Sequence, residues 1–239
     1  MLTINQKKIL IDGLCSCETS IFRTTPDSLY RQIIQGIPPY DGIDIVLITH
    51  IHFDHFAADK VAEFLNKNKK ATVVSADEVI AEISVRLGDA TAYNLIPVRP
   101  GLQEVRELAI KGTKVLVLGL KHEGKQFSTV QHLGFLVQDG VKVLHVGDAA
   151  ASAENYQGLG LQEMNIDLLV APFPYIGLSS ARKTVKELIN PSKTVLVHFP
   201  LPERDNNGWT EATMKSYGRM REDTFSVEFL QRPGMSVSF

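Results

Sequence analysis

One short segment constrains this chain more than any other. An apolar, β-branched run at 43–49 ends in the sequence HIHFDH at 50–55, and a helical pattern at 57–67 follows at once. A near-continuous apolar run is typical of a strand that is covered on both faces. Irregular backbone after a rigid strand is where binding and catalytic sites are usually built. We therefore expect the polar cluster to lie at the edge of a buried sheet.

The cluster supplies three imidazoles and one carboxylate, from His50, His52, Asp54 and His55. These groups are ligands for divalent metals, and their close spacing lets some bind one ion and others a neighbouring ion. The alternative is a solvated loop in which Asp54 caps the next helix. Capping requires one acceptor and explains none of the histidines, so metal binding is the stronger interpretation.

Three more residues with metal-binding side chains follow later strand-like segments, namely His122, Asp148 and His198. Each alone has a structural alternative, since Asp148 could cap a helix at 149–156 and His198 could be a hydrogen-bonded core histidine. Together with the first cluster they favour one shared metal centre.

The remaining pattern contains many strands and fewer helices. Strands are predicted at 8–13, 43–49, 72–75, 104–109, 113–119, 130–137, 141–146, 166–171, 193–198 and in the C-terminal tail, and helices after Pro26 and near 57–67, 77–87, 180–189 and 210–221. No repeat, low-complexity tract or long linker divides the chain, so we expect a single domain over residues 1–239. The order of elements indicates two sheets covered on the outside by helices.

Composition excludes several classes of function. The 239 residues carry a formal charge of −2, so no strong basic field attracts nucleic acid or an anionic membrane, and no nucleic-acid partner is expected. No apolar run reaches the roughly 18 residues that span a bilayer, and the first residues lack the apolar stretch of a signal peptide. Cys15 and Cys17 are too close for an easy disulfide. A cytoplasmic location fits best, although a trimmed start leaves room for an export signal.

The motif THIHFDHF at 49–56, followed by a later histidine, Gly147-Asp148 and His198, resembles the metallo-β-lactamase superfamily. The resemblance covers residues 8 to about 200. It implies an α/β (α+β) fold, a four-layer αββα sandwich of two mixed sheets flanked by helices.

Two softer segments, GFLV at 134–137 and KVLHVGD at 142–148, are similar to one branch of that superfamily. The branch comprises small metal-dependent hydrolases that are ascorbate-6-phosphate lactonase-like or N-acylphosphatidylethanolamine phospholipase D-like.

The resemblance also implies two divalent metal ions, with zinc expected and manganese or iron as alternatives. His50, His52 and His122 would hold the first ion, Asp54, His55 and His198 the second, and Asp148 would bridge them. Asp12 matches a family aspartate near the site and would orient the ligands from behind.

Two assignments stay open. His132 competes with His122 for the third histidine position, and His122 is favoured because it follows the preceding strand in the family's order. His132 and His145 would then support the ligands or pack in the core. Tyr175, in a Pro-Phe-Pro-Tyr turn, could donate a proton to the substrate or could be a packed turn aromatic.

The expected function is hydrolysis of an ester, lactone or phosphodiester bond in a small molecule by attack of a metal-bound hydroxide, with Asp54 accepting its proton. The alternative is a non-catalytic metal-binding or ligand-sensing protein. By the same resemblance, redox and β-lactam chemistry are not expected, since flavodiiron enzymes carry Glu at the position of His52 and true β-lactamases usually carry Cys at that of Asp148. The oligomeric state is not predicted.

Pocket walls are expected from the loops 14–25, 87–103, 121–129 and 172–179. Five cationic side chains could meet a substrate phosphate or remain solvated, namely Arg23, Arg86, Arg99, Lys121 and Lys125.

Overall fold

The computed structural model describes residues 1–16, 20–219 and 226–239. Two β-sheets pack against each other, and helices cover the outer face of each. The predicted αββα sandwich is therefore confirmed. Cys15 is buried, and Cys17 lies outside the described residues.

The first sheet has five strands in the order of the chain: β1 (Leu2–Ile4), β2 (Lys7–Ile11), β3 (Ile45–Leu47), β4 (Thr72–Ala76) and β5 (Asn94–Val98). β1 and β2 form an antiparallel hairpin, and the other neighbours are parallel. Its helices are α1 (Asp27–Gln35), α2 (Ala58–Lys67) and α3 (Asp77–Leu87).

The sequence patterns missed β1 and β5. β1 has only three residues, too few to show a period. β5 contains Pro97, which argues against a central strand but is tolerated at a sheet edge. The segment 87–103, expected to be a loop, therefore contains a strand at Asn94–Val98.

The second sheet runs in reverse chain order from β12 to β6. Its strands are β6 (Val105–Ile110), β7 (Thr113–Leu120), β8 (His132–Gln138), β9 (Lys142–His145), β10 (Leu168–Pro172), β11 (Lys193–Val197) and β12 (Ser226–Phe229). β6 to β9 are antiparallel, and β9 to β12 are parallel.

Short helices cover this sheet, namely α4 (Ala153–Tyr156), α5 (Pro174–Gly177), α6 (Ser179–Thr184, continued by a π-helical turn at Val185–Ile189) and α7 (Trp209–Gly218). The helix considered at 149–156 is limited to α4. The last residues of the helix expected at 210–221 lie outside the described residues. Among the described helices, none combines the length and the apolar character that crossing a bilayer requires.

Alternating side chains on the central strands fill three apolar layers. On β7, Val115 and Val117 pack between the sheets, whereas Leu116 and Leu118 pack under the outer helices. Full burial of each such side chain stabilises the fold by about 1.5–3 kcal/mol relative to exposure. Strands buried on both faces hold their ends rigidly, and the carboxyl ends of β2, β3, β7, β9 and β11 lie at the same edge of the sandwich.

Candidate metal centre

The loop after β3 folds the first four predicted ligands into one cluster. The backbone N–H groups of His55 and Phe56 both donate to the carbonyl of His52 at 2.9 Å, which closes a tight turn. This turn brings His50 Nε2 to 3.0 Å from His52 Nδ1. Asp54 and His55 face the opposite sheet, where His198 lies 3.1 Å from His55 between their Nε2 atoms.

Strands of the second sheet supply the other three predicted ligands. His122 follows β7, Asp148 follows β9 and His198 follows β11. The Oδ2 atom of Asp148 lies 3.3 Å from His55 Nε2, 3.4 Å from His198 Nε2 and 3.8 Å from His122 Nε2. Asp148 therefore contacts ligand candidates from both sheets.

All seven predicted ligands fall into three overlapping groups whose ligand atoms lie within 4.8 Å of one another. The groups are His50, His52 and His122; His50, His55 and Asp148; and Asp54, His55 and His198. The structure thus brings together every residue that the sequence proposed as a ligand.

The spacing and chemistry of these donors fit divalent cations. Tetrahedral zinc with N ligands at about 2.0–2.1 Å places neighbouring ligand atoms about 3.3 Å apart, and the contacts above span 3.0–3.8 Å. His122 Nε2 and Asp148 Oδ1 are buried and have no hydrogen-bond partner among the described residues. Buried polar atoms are normally paired, so a cation is the missing partner that this donor set suits best.

The protonation states also suit cation binding, which requires neutral imidazole and ionised carboxylate. Burial lowers the pKa of His50, His52 and His122. Burial alone would raise the pKa of Asp148, but the charges of His55 and His198 outweigh it and hold that pKa well below its usual range.

His55 differs from the other histidines. Burial alone would lower its pKa, but the neighbouring carboxylates of Asp148 and Asp12 raise it well above the ordinary value. A cation at His55 would therefore compete with a proton for the same ring.

Asp12 lies next to the cluster, on the side away from the cavity lining, and contacts its residues directly. Its carboxylate accepts hydrogen bonds from the N–H of Thr49 at 2.8 Å and from the Thr49 hydroxyl at 2.7 Å, and it lies 2.9 Å from His55 Nδ1. The Thr49 hydroxyl in turn lies 2.9 Å from His50 Nδ1. One carboxylate thus orients two ligand rings. Asp12 and His198 have φ angles of 50° and 59°, a region in which Asp and His are enriched among non-glycine residues.

The geometry distinguishes the competing histidines. His132 Nε2 accepts a hydrogen bond from the backbone N–H of Asp148 at 3.0 Å, so that nitrogen is already occupied by the backbone of a ligand candidate. His145 Nδ1 accepts from the N–H of Gly147 at 3.1 Å. A Cβ at Gly147, where φ is 53°, would lie 2.8 Å from both His132 and Thr49, so a larger residue would displace this support. His122 belongs to a ligand group, and the geometry favours it over His132.

Tyr175 lies beneath the site rather than in it. Its hydroxyl is buried, donates to the carbonyl of Ala149 at 2.8 Å and contacts the hydroxyl of Tyr156. Burial raises the pKa of Tyr175 well above its ordinary value. This placement favours the interpretation of Tyr175 as a packed turn aromatic. Its hydroxyl bonds to the carbonyl of Ala149, the residue that follows Asp148.

Asn155 is a supporting residue that the sequence reasoning missed. Its fully buried amide accepts from the N–H of Lys121 at 2.6 Å and donates to the carbonyls of Lys121 at 2.9 Å and Ala150 at 2.8 Å. The loops that carry His122 and Asp148 are thereby tied together, and the N–H of Glu123 reinforces the tie by donating to the Asp148 carbonyl at 2.8 Å. A lone asparagine in a four-residue helix gives no sequence signal for this role.

Five of the ligand candidates line a cavity of about 900 Å³. Three of the four loops expected as walls contribute to it, those at 14–25, 121–129 and 172–179. The segment 87–103 does not, and its residues line a separate cavity of about 220 Å³. Helix α7 takes its place with Trp209, Ala212 and Thr213.

Comparisons with known proteins agree with this architecture. The sequence model of the family described as a beta-lactamase superfamily domain matches residues 2–197. A UPF0173 protein of Pyrococcus abyssi is 28% identical over 167 residues, which cover 66% of this chain and 68% of that protein. A UPF0173 metal-dependent hydrolase of Methanosphaerula palustris is 24% identical over 193 residues, with coverage of 75% and 80%.

Solved structures show the same fold at lower identity. The metallo hydrolase Igni18 of Ignicoccus hospitalis superposes with a TM-score of 0.62 and 19% identity, covering 99% of this chain and 92% of that one. The metallo-beta-lactamase fold protein YhfI of Bacillus subtilis gives a TM-score of 0.56 and 14% identity, with 94% of each chain covered.

Proposed function

The chain belongs to the beta-lactamase superfamily, and we propose that it is a metal-dependent hydrolase with two divalent ions. The scissile bond is an ester, lactone or phosphodiester of a small molecule. The observation that carries this proposal is Asp148, whose Oδ2 atom lies within 3.8 Å of ligand candidates on both sides of the cluster. The naming of a similar protein as a metal-dependent hydrolase supports it.

We assign the first ion to His50, His52 and His122 and the second to Asp54, His55 and His198, with Asp148 between them. The majority of imidazole donors favours zinc. When bound, two such ions lower the pKa of a water, polarise the scissile carbonyl or phosphoryl oxygen and stabilise charge on the leaving oxygen.

Asp54 is the residue of this chain that we assign to proton transfer. Asp54 receives a hydrogen bond from the Ser20 hydroxyl at 3.2 Å. Burial alone would raise the pKa of Asp54, but its hydrogen bond to His198 and the charge of His55 lower it. An ionised Asp54 can hold a cation and accept the proton that the attacking water loses. Tyr175 is left out of the reaction because its hydroxyl already donates to Ala149.

The test is metal content together with turnover. Protein purified without chelator is analysed for bound elements and then assayed with a chromogenic phosphodiester, simple esters and a lactone panel. About two equivalents of metal with hydrolysis of at least one substrate class is the expected result. Adding back zinc after chelation should restore both.

The rival function is a metal-binding or ligand-sensing protein without turnover. One equivalent of metal or none, with every substrate intact after zinc or manganese is added, would overturn the hydrolase proposal in favour of that rival. A structural site fills every coordination position with protein atoms, whereas a catalytic site keeps one for water.

A further inference from the structure

We propose that the substrate is a carboxylic ester or lactone with an uncharged, apolar acyl or aryl group, and that this group lies against the aromatic wall of the large cavity. The inference rests on the proposed hydrolase function and names its substrate class. The aromatic wall is formed by Phe22, Phe127, Phe173 and Trp209.

The aromatic wall is in direct contact with the candidate ligands. The ring of Phe22 lies 3.9 Å from that of His198, and the ring of Phe127 lies 4.6 Å from that of His52 and 4.8 Å from that of His122. A group bonded to a carbonyl at the metal centre would therefore meet aromatic carbon at once. Trp209 extends the apolar surface outward by stacking on Phe173 with ring centroids 6.0 Å apart.

The cavity also has an apolar mouth. Phe53 is 72% exposed and Leu178 is 58% exposed, and both line the opening together with Ile21. A single exposed apolar side chain needs no explanation. Several around one cavity that continues into an aromatic wall indicate a binding surface for an apolar group.

The charges of the lining disfavour a phosphorylated substrate. Among the described residues that line the cavity, none is a lysine or an arginine, and Glu123 is the only charged side chain apart from the ligand candidates. A phosphate placed away from the metals requires cationic or N–H donors, and Glu123 would repel it.

The candidate cations of the sequence analysis lie elsewhere. Arg99 and Lys121 line the smaller cavity, and Lys121 pairs with Glu154. Arg23, Arg86 and Lys125 are likewise absent from the lining of the large cavity. A cavity of about 900 Å³ is within the usual range for drug-sized ligands, about 300–1,000 Å³, so an acyl chain or ring system of that size can be enclosed.

Trp209 allows binding to be measured without turnover, because it is the single tryptophan of the chain and lines the cavity. The protein is titrated, with and without added zinc, with 2-alkanones from butanone to decanone while tryptophan emission is recorded. These ketones carry the carbonyl of an ester but no scissile bond. We expect Kd to fall about fourfold per added methylene, the equivalent of about 0.8 kcal/mol, until the cavity is full. Glucose 6-phosphate should give no saturable response in the same range.

A pair of variants checks that the lining is responsible. Leu178→Ser places a polar group at the mouth, and Val85→Ser makes a similar change on α3 at a side chain that is 80% exposed and does not line the cavity. Leu178→Ser should weaken decanone binding severalfold and butanone binding little. Val85→Ser should leave the series unchanged.

The outcomes separate this inference from the hydrolase proposal. A rising affinity along the ketone series, with every ester, lactone and phosphodiester intact after zinc or manganese is added, would support the apolar pocket but overturn the hydrolase and the ester substrate with it. Hydrolysis of esters with equal kcat/KM for acetate and octanoate, together with a flat ketone series, supports the hydrolase and overturns the apolar substrate. Preferential binding of glucose 6-phosphate would also overturn it.

Discussion

The two sheets contribute to the metal centre in different ways. The first sheet provides four candidate ligands from one loop of six residues, closed by its own backbone hydrogen bonds to His52. The second sheet provides His122, Asp148 and His198 from three separate loops. The first group comes from one loop whose rings are oriented by Asp12, whereas the second is held by the packing and hydrogen bonds between three loops. We therefore expect changes outside the ligands to act on ring orientation in the first group, and on the spacing of the loops and the stability of the fold in the second.

The largest effect should come from the residue that joins the two groups. Asp148→Ala removes a carboxylate that contacts candidates for both ions, so metal content should fall from two equivalents toward none and turnover by more than about a hundredfold. His52→Ala removes a contact on one side, so about one equivalent should remain while turnover is lost. Elemental analysis and kcat/KM on the best substrate measure both changes.

Asp89→Ala is the matched control, because Asp89 is exposed and its carboxylate accepts hydrogen bonds only from Thr91 among the described residues. It should retain metal and activity. Circular dichroism should show the same fold in all three variants. Full turnover in a folded Asp148→Ala protein would contradict the assignment of Asp148 as the residue between the ions.

The next effect concerns support behind the first loop. Asp12→Asn weakens the orientation of His55 and His50 without removing a ligand, and changes of this kind cost about 10–100-fold in metal affinity. Competition with a chromophoric chelator measures the loss. Asp44→Asn is the control, since Asp44 accepts a hydrogen bond from the N–H of Lys8 at the opposite end of the same sheet. Equal metal affinity in both variants would show that the first loop orients its ligands without Asp12.

Asn155 tests the tie between loops of the second sheet. Asn155→Ala removes three hydrogen bonds from a buried site, so the free energy of unfolding should fall by about 2–4 kcal/mol. Metal affinity should fall severalfold, because His122 and Asp148 are no longer held at a fixed separation. Urea unfolding of the metal-free protein and chelator competition measure the two effects. Asn68→Ala, which removes one half-buried hydrogen bond to Phe64, should cost no more than about 1 kcal/mol.

The same contrast explains what the sequence could predict. The segment 50–55 could be identified as a metal-binding site from the sequence because its histidines and aspartate lie within six residues. The family resemblance that it carries is confirmed by the match over residues 2–197. His122, Asp148 and His198 could be singled out because each follows a recognisable strand. Asn155 could not, because its role depends on the contact between two loops that no local pattern records.

The fold was predictable for similar reasons. Long apolar strands such as β7, buried on both faces, have a strong pattern, and the predicted strand at 113–119 matches Thr113–Leu120. β1 and β5 were missed because one is very short and the other carries Pro97. The aromatic wall was missed in part because Trp209 reaches the cavity only through the packing of α7.

The smallest predicted effect is on the pH dependence of stability, and it concerns His145 at the end of β9. Burial lowers the pKa of His145 to about 4 from an ordinary value of 6.5, whereas neighbouring carboxylates raise that of His55. Between pH 6.5 and 4 the unfolded chain binds a proton at His145 that the folded chain does not, so acid destabilises the fold through this residue. His145→Gln keeps an acceptor for the Gly147 N–H but cannot be protonated. Urea unfolding in the presence of chelator should therefore show that the variant loses stability less steeply than the original protein across this pH range. The slope of the unfolding free energy against pH should fall by the equivalent of up to about one bound proton. An unchanged slope would place the acid sensitivity elsewhere, with His132 as the next candidate because burial lowers its pKa to about 3.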